Sequence, residues 1–176
     1  MSLAPPEAPV YLDHAATTPP DPAVVEAMRA CLAGEPALGN PSSVHSAGRR
    51  ARSRVEAARR QLADLLGTAP ENLLWTSGAT EADNLAILGA ARLRAHRGRH
   101  LVTLRTEHKA VLGPFRSLER EGFEVTWLAP GPDGRLAPED LERALRPDTQ
   151  LVSVMHVNNE TGVIQDIHEL GALCRR

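Results

Sequence analysis

The chain has 176 residues and a mass of 19.0 kDa, with 42% hydrophobic and 24% charged residues. This is about one domain's length, ordinary for a soluble globular protein that buries roughly 70% of its unfolded surface. Its 20 Lys+Arg against 22 Asp+Glu give a net charge of -2, which argues against a general nucleic-acid footprint, and no apolar run approaches the ~20 residues of a membrane span. The opening MSLAPPEAPV is Pro-rich and lacks Arg and Lys, unlike a signal peptide. Cys31 and Cys174, far apart and without an export signal, read as reduced thiols of a cytoplasmic protein. Of the 20 basic residues only Lys109 is a lysine; the bias looks like coding preference, yet it limits the amine chemistry open to the chain.

In chain order, Val10-Tyr11-Leu12 is a short apolar run, followed by the loop Asp13-His14-Ala15-Ala16-Thr17-Thr18-Pro19-Pro20. Asp21 and Pro22 stand as N-cap and first residue of a helix, with Val24, Val25, Met28 and Leu32 at helical spacing and Gly34 as its stop. Residues 1–20 thus read as an N-terminal arm and 21–176 as one domain, cut short at its C-terminal end. Leu38-Gly39-Asn40-Pro41-Ser42-Ser43 is a loop dense in turn formers. A long Arg-rich helix is expected from Val44 to Leu66, with Val55, Ala58, Leu62, Leu65 and Leu66 on its apolar face and Gly67 as its stop.

The pattern then alternates. Strands are expected at 73–76, 100–104, 124–128 and 151–155, and helices at 81–96, 109–121, 138–145 and from Ile167 onward. The turn Gly131-Pro132-Asp133-Gly134 closes the third strand. Repeated strand–helix units predict an α/β fold, a mainly parallel sheet with helices on both faces.

Three strand-to-helix or strand-end loops carry polar groups to the carboxyl edge of such a sheet, where ligands of open α/β folds bind. In Thr76-Ser77-Gly78-Ala79-Thr80-Glu81, the free N–H groups of a first helical turn and the Thr80 hydroxyl suit an anion such as phosphate; the alternative is that Thr80 only caps the helix. The run is neither a P-loop nor a GxGxxG fingerprint. In Thr106-Glu107-His108-Lys109, the imidazole of His108 suits stacking on a planar ligand or proton transfer, or is simply a helix-terminal polar residue. His156-Val157-Asn158-Asn159-Glu160-Thr161-Gly162 offers two amides to a ligand, or is a plain turn. Metal binding is a poor reading, because Gly98 interrupts the pair His96 and His100 at a helix end and the cysteines stand alone.

The runs Tyr11–Thr18, Gly39–Ser43, Thr76–Asn84, Thr106–Leu112 and Val152–Asp166 together resemble the cysteine desulfurases, class V, fold type I enzymes that use pyridoxal 5'-phosphate (PLP). The resemblance runs in order over nearly the whole chain from Val10. It implies that residues 21–176 are part of a fold type I PLP-binding large domain. It further implies that Ala79 and Thr80 hold the cofactor phosphate and that His108 stacks on the pyridine ring and takes part in proton transfer. By the same likeness Asn159 hydrogen-bonds the ring's phenolic oxygen and Asn40 contacts the substrate carboxylate. The family reaction takes sulfur from L-cysteine, leaving alanine and a persulfide on an enzyme cysteine, for delivery to an iron–sulfur scaffold or another sulfur-acceptor protein. Family members are generally homodimers.

The resemblance also implies parts that this sequence does not contain: the aspartate that pairs with the pyridine nitrogen, the Schiff-base lysine of a Ser/Gly-His-Lys motif, and the persulfide cysteine. Lys109 matches a position beside the stacking histidine, not the Schiff-base position. Residues 1–176 alone are therefore expected to be inactive, since a Schiff base needs a lysine amine in place. A selenocysteine lyase or class V aminotransferase fragment, and a non-catalytic half-domain that binds a partner through its sheet edge, are the competing readings.

Overall fold

The computed structural model describes residues 10–33 and 38–175. The expected helix stop at Gly34 and the first nine residues of the expected arm lie outside them. The described residues fall into two compact units that divide between Trp75 and Thr76.

The first unit is helical. α1 (Pro22–Ala33) starts where Asp21 Oδ1 accepts the Ala23 N–H at 2.8 Å, a side-chain cap of the expected kind. None of its residues is buried, and Val24, Val25, Met28 and Leu32 are 44%, 46%, 56% and 85% exposed. α2 (Ser46–Leu66) begins two residues later than expected, because His45 serves as its N-cap, Nδ1 accepting from Gly48 N–H at 3.3 Å. Gly67, at φ +64, closes it in the left-handed conformation that glycine adopts without a Cβ penalty. Ala63 and Gly48 are the buried residues of α2; Leu65 and Leu66, expected on its apolar face, are exposed.

The expected strand at 73–76 does not form. A 3-10 turn at Pro70–Asn72 precedes it, and the Leu73 carbonyl accepts from the Arg59 guanidinium instead of a neighbouring strand. The same guanidinium lies 5.5 Å from the Trp75 ring centroid, so this segment is held by a cation and not by a ladder.

The second unit is a three-stranded parallel sheet in the order β2-β1-β3, made of β1 (His100–Leu104), β2 (Glu124–Leu128) and β3 (Thr149–Ser153). β1 and β2 have their expected bounds; β3 lies two residues early, and its Val154-Met155 leave the ladder for a reason given below. Leu101 on one face packs with Ile87, Ala91, Val111, Phe115 and Leu118 of α3 (Ala79–Leu93) and α4 (Lys109–Arg120). Val102 and Leu104 on the other face pack with Leu136, Leu141 and Leu170, the last two from α5 (Pro138–Ala144) and α6 (Ile167–Leu173). All five β1 residues are buried. The α/β architecture with helices on both faces is the expected one, and the alternation along β1 is what a strand covered on both sides requires.

Pro114 lies inside α4 and is buried. A proline has no N–H, so the carbonyl four residues back loses its helical donor. That carbonyl belongs to Ala110, and Asn84 Nδ2–H of α3 donates to it at 3.4 Å while also donating to Thr80 O at 2.8 Å. The gap in one helix thus becomes a tether to the N-terminal turn of the other. Gly134, at φ +79, leaves only 2.8 Å between an ideal Cβ and Val163 Cγ2, so both its conformation and its space exclude a side chain.

The amino edge of the sheet is closed by His100, which is fully buried. Its Nδ1 lies 2.6 Å from Thr149 Oγ1 and its Nε2 2.8 Å from Thr126 Oγ1, so one imidazole joins all three strands. Thr149 Oγ1 also accepts the Arg146 N–H at 2.8 Å, so the ring, the hydroxyl and the turn before β3 form one network. Burial, and then the Arg146 cation, push the His100 pKa below the ordinary histidine value. Both ring nitrogens are engaged, so this residue has no lone pair to offer a metal.

The sign of the resulting pH dependence follows. An unfolded His100 takes up a proton below about pH 6.5, whereas the folded one resists until a lower pH. Its stabilising contribution is full above that value and is lost as pH falls toward the folded pKa. We expect the difference in melting temperature between the wild-type chain and His100→Gln to narrow as pH is lowered from 8 to 5. A constant difference across that range would show that the ring is not held neutral.

Candidate active site at the carboxyl edge of the sheet

α3 runs back from its N-terminus to the amino end of β1, and α4 leaves from the carboxyl end of β1. The two N-terminal turns are therefore neighbours, as the Asn84 tether requires. Gly78 is the N-cap of α3 and gives it no side-chain cap. The first intrahelical bond is Ala82 N–H to Gly78 O, so the N–H groups of Ala79 and Thr80 have no partner among the described residues, and both residues are exposed. Uncapped donors at the positive end of a helix dipole are what an anion binds. Gly78 is extended, and an ideal Cβ on it would meet nothing within 4 Å. The space over the helix end is therefore open to a ligand.

Glu81 turns away from that space. Its Oε2 accepts from both Ser77 N–H and Ser77 Oγ–H at 2.6 Å, and these bonds hold its carboxyl below the usual glutamate range. Its charge is thus satisfied locally at the helix start in the manner of a capping box, and the Ala79 and Thr80 donors stay free.

His108 is the N-cap of α4 and exposed, with Nδ1 accepting the Ala110 N–H at 3.1 Å. In the neutral ring the proton consequently sits on Nε2. Thr80, Asn84, His108 and Lys109 line one cavity of about 330 Å³. The structure thus brings together the expected anion-binding hydroxyl and the expected stacking ring, with the chain's single lysine as a cation beside them.

The third loop follows β3. Asn158 and not Asn159 builds it: Asn158 Oδ1 accepts from Glu160 N–H, Thr161 N–H and Thr161 Oγ–H at 3.0, 2.9 and 3.1 Å. Its Nδ2–H donates to Thr106 O at 3.0 Å, on the loop that carries His108. Asn159 is exposed, and its amide has no partner among the described residues. It is available to a ligand in a way that its neighbour is not.

Asn40 lies in the first unit, where its Oδ1 accepts the Ser42 N–H at 2.9 Å and shapes the loop that carries it. Sequence reasoning missed two contributors. The structural role of Asn158 carries a signal, since an asparagine ahead of a glycine turn commonly bonds the backbone two residues on. The burial of Glu107 carries none, because a glutamate in a loop reads as solvated.

A model of the class-V aminotransferase family matches residues 10–176, and the chain belongs to that family. Its enzymes, the cysteine desulfurases among them, depend on PLP. Within the family the resemblance is to cysteine desulfurases named IscS. That of Stutzerimonas stutzeri (strain A1501) is 56% identical over 168 residues, covering 95% of this chain and 42% of that protein. That of Proteus mirabilis (strain HI4320) is 54% identical over the same shares. The chain therefore spans less than half the length of the relatives it matches. Among solved structures, SspA in complex with cysteine is 39% identical with a TM-score of 0.86, covering 94% of this chain and 47% of that one. DndA from Streptomyces lividans is 49% identical with a TM-score of 0.79, over 94% and 46% of the two chains.

The two adjacent asparagines separate structure from availability. Asn158→Ala removes four hydrogen bonds from one loop and is expected to cost about 1–3 kcal/mol. Asn159→Ala is expected to change stability by no more than about 0.5 kcal/mol. Denaturant unfolding of the two variants, with equal losses, would contradict this division of labour.

Proposed function

We propose that this chain supplies the phosphate grip and ring-stacking half of a PLP-dependent cysteine desulfurase. In this reading sulfur leaves L-cysteine, alanine is the other product, and a persulfide on an enzyme cysteine passes to an iron–sulfur scaffold or another acceptor protein. The protein acts in the cytoplasm as a homodimer. The observation that carries the proposal is the cavity that Thr80 and His108 line together, at the adjoining N-terminal turns of α3 and α4. Its support from likeness is the IscS identity of 54–56% and the fold shared with SspA, a structure whose own complex holds cysteine.

The residues present fit the cofactor. The free N–H groups of Ala79 and Thr80 and the Thr80 hydroxyl would hold its phosphate, an arrangement in which charge-assisted bonds are roughly twice as strong as neutral ones. His108 would cover the ring, and Nε2, the nitrogen not taken up by the Ala110 N–H, is the ring atom left to hydrogen-bond or exchange a proton with the ligand. The unengaged Asn159 amide would donate to the phenolic oxygen. Lys109 adds a positive charge at the cavity that favours an anionic ligand. When bound, PLP supplies the electron sink for bond cleavage at the substrate's α-carbon; the chain's part is binding, orientation and proton traffic. Asn40 is assigned the substrate carboxylate by likeness alone.

Two measurements test the proposal. The protein as its native source produces it is expected to have an intact mass well above 19.0 kDa, to bind PLP and to form alanine from L-cysteine, whereas residues 1–176 alone form none. Thr80→Val in the active protein is expected to weaken PLP retention about tenfold by removing one bond to a charged group, with the melting temperature little changed. A native protein of 19.0 kDa that retains no PLP would overturn the reading.

A further inference from the structure

Glu107 stands between Thr106 and His108 at the open edge of the sheet, where a carboxylate has an easy path to water. It is nonetheless only 7% exposed. A charge kept from solvent at such a place has to be held by a specific partner, and here the partner is a backbone. Glu107 Oε1 accepts the Met155 N–H at 2.6 Å.

Met155 lies just past the end of β3 and just before the loop that carries Asn159. Its N–H goes to Glu107 and not to a strand, which is why β3 stops at Ser153. From the opposite direction Asn158 Nδ2–H reaches Thr106 O at 3.0 Å. Two side-chain-to-backbone bonds therefore cross between the same pair of loops, one originating from each. The third element of the site is close as well. Burial is the main cause that pushes the Glu107 carboxyl above the usual glutamate range, and the negative charge of Asp83 on α3 adds to it against the pull of the Met155 N–H.

We infer that Glu107 is a positioning residue: through the Met155 amide it fixes the Asn159-bearing loop against the His108-bearing loop. A planar ligand's face contact and edge contact are thereby held in one rigid frame. What the frame holds rests on the PLP reading above; the frame itself does not.

The test uses the native-length protein with Glu107→Ala, and with Glu107→Gln, which keeps an acceptor oxygen at the same reach. Glu107→Leu, which fills the volume without an acceptor, replaces the alanine variant if that one does not fold. Two readouts are taken: amide hydrogen exchange at Met155 and residues 156–162, and the absorbance and retention of bound PLP. Loss of one local hydrogen bond is expected to speed Met155 exchange about tenfold, with the β1 amides unaffected. PLP retention is expected to fall and its absorbance band to shift, and glutamine to restore both. Unchanged Met155 exchange in the alanine or leucine variant would overturn the inference. So would faster exchange with wild-type PLP absorbance and retention, which would make Glu107 mere filling. If the wild-type protein binds no PLP, the functional reading fails, while the exchange comparison still decides whether Glu107 is the strap.

Discussion

β1 is covered on both faces and hydrogen-bonded along both edges, and every other element of the second unit takes its place from it. Leu101 sets the seat of α3 and α4, Val102 and Leu104 that of α5 and α6. Its two ends carry opposite chemistry. At the amino end His100 is locked between two threonine hydroxyls, a closed and satisfied arrangement. At the carboxyl end the chain leaves through Arg105–His108 with donors and a ring facing open space. A central parallel strand makes this division natural, because the loops that follow strands converge at one edge while the loops that precede them converge at the other.

The candidate site is built by secondary contacts as much as by the residues that would touch a ligand. Pro114 opens a gap in the α4 ladder, Asn84 fills it, and the filling draws the Thr80 turn toward the His108 turn. Glu107 and Asn158 perform the corresponding task between the His108 and Asn159 loops. In each pair a polar side chain from one loop or helix satisfies a backbone group of another. Such bonds cost little when made and much when one partner is removed, which suits a site that must keep separate loops in register.

The first unit presents the opposite situation. α1 buries no residue and keeps Val24, Val25, Met28 and Leu32 exposed, and Leu65 and Leu66 of α2 are exposed likewise. An amphipathic pattern predicts that a helix has an apolar face and says nothing about what covers it. The 73–76 segment shows the same limit for strands: Leu73, Leu74 and Trp75 have the composition of a strand, but strand identity lies in a ladder partner, and here Arg59 takes the Leu73 carbonyl.

The sequence by itself determined the order and kind of nearly every element, because caps, glycine stops and hydrophobic periods are local signals. β1 and β2 have their expected ends, and Gly67 and Asp21 act where they were expected to act. It also pointed to Thr80, to His108 and to the adjacent amides of Asn158 and Asn159, each with a cap or a turn as the alternative duty, and the resemblance picked Asn159 of the two. Only the tertiary structure decided that Thr80 and His108 share a cavity, that Asn158 ties its loop to Thr106, and that Glu107 is buried. The reason is physical: each of these depends on a hydrogen bond or contact between residues some 26 to 52 positions apart. No local propensity encodes such a pairing.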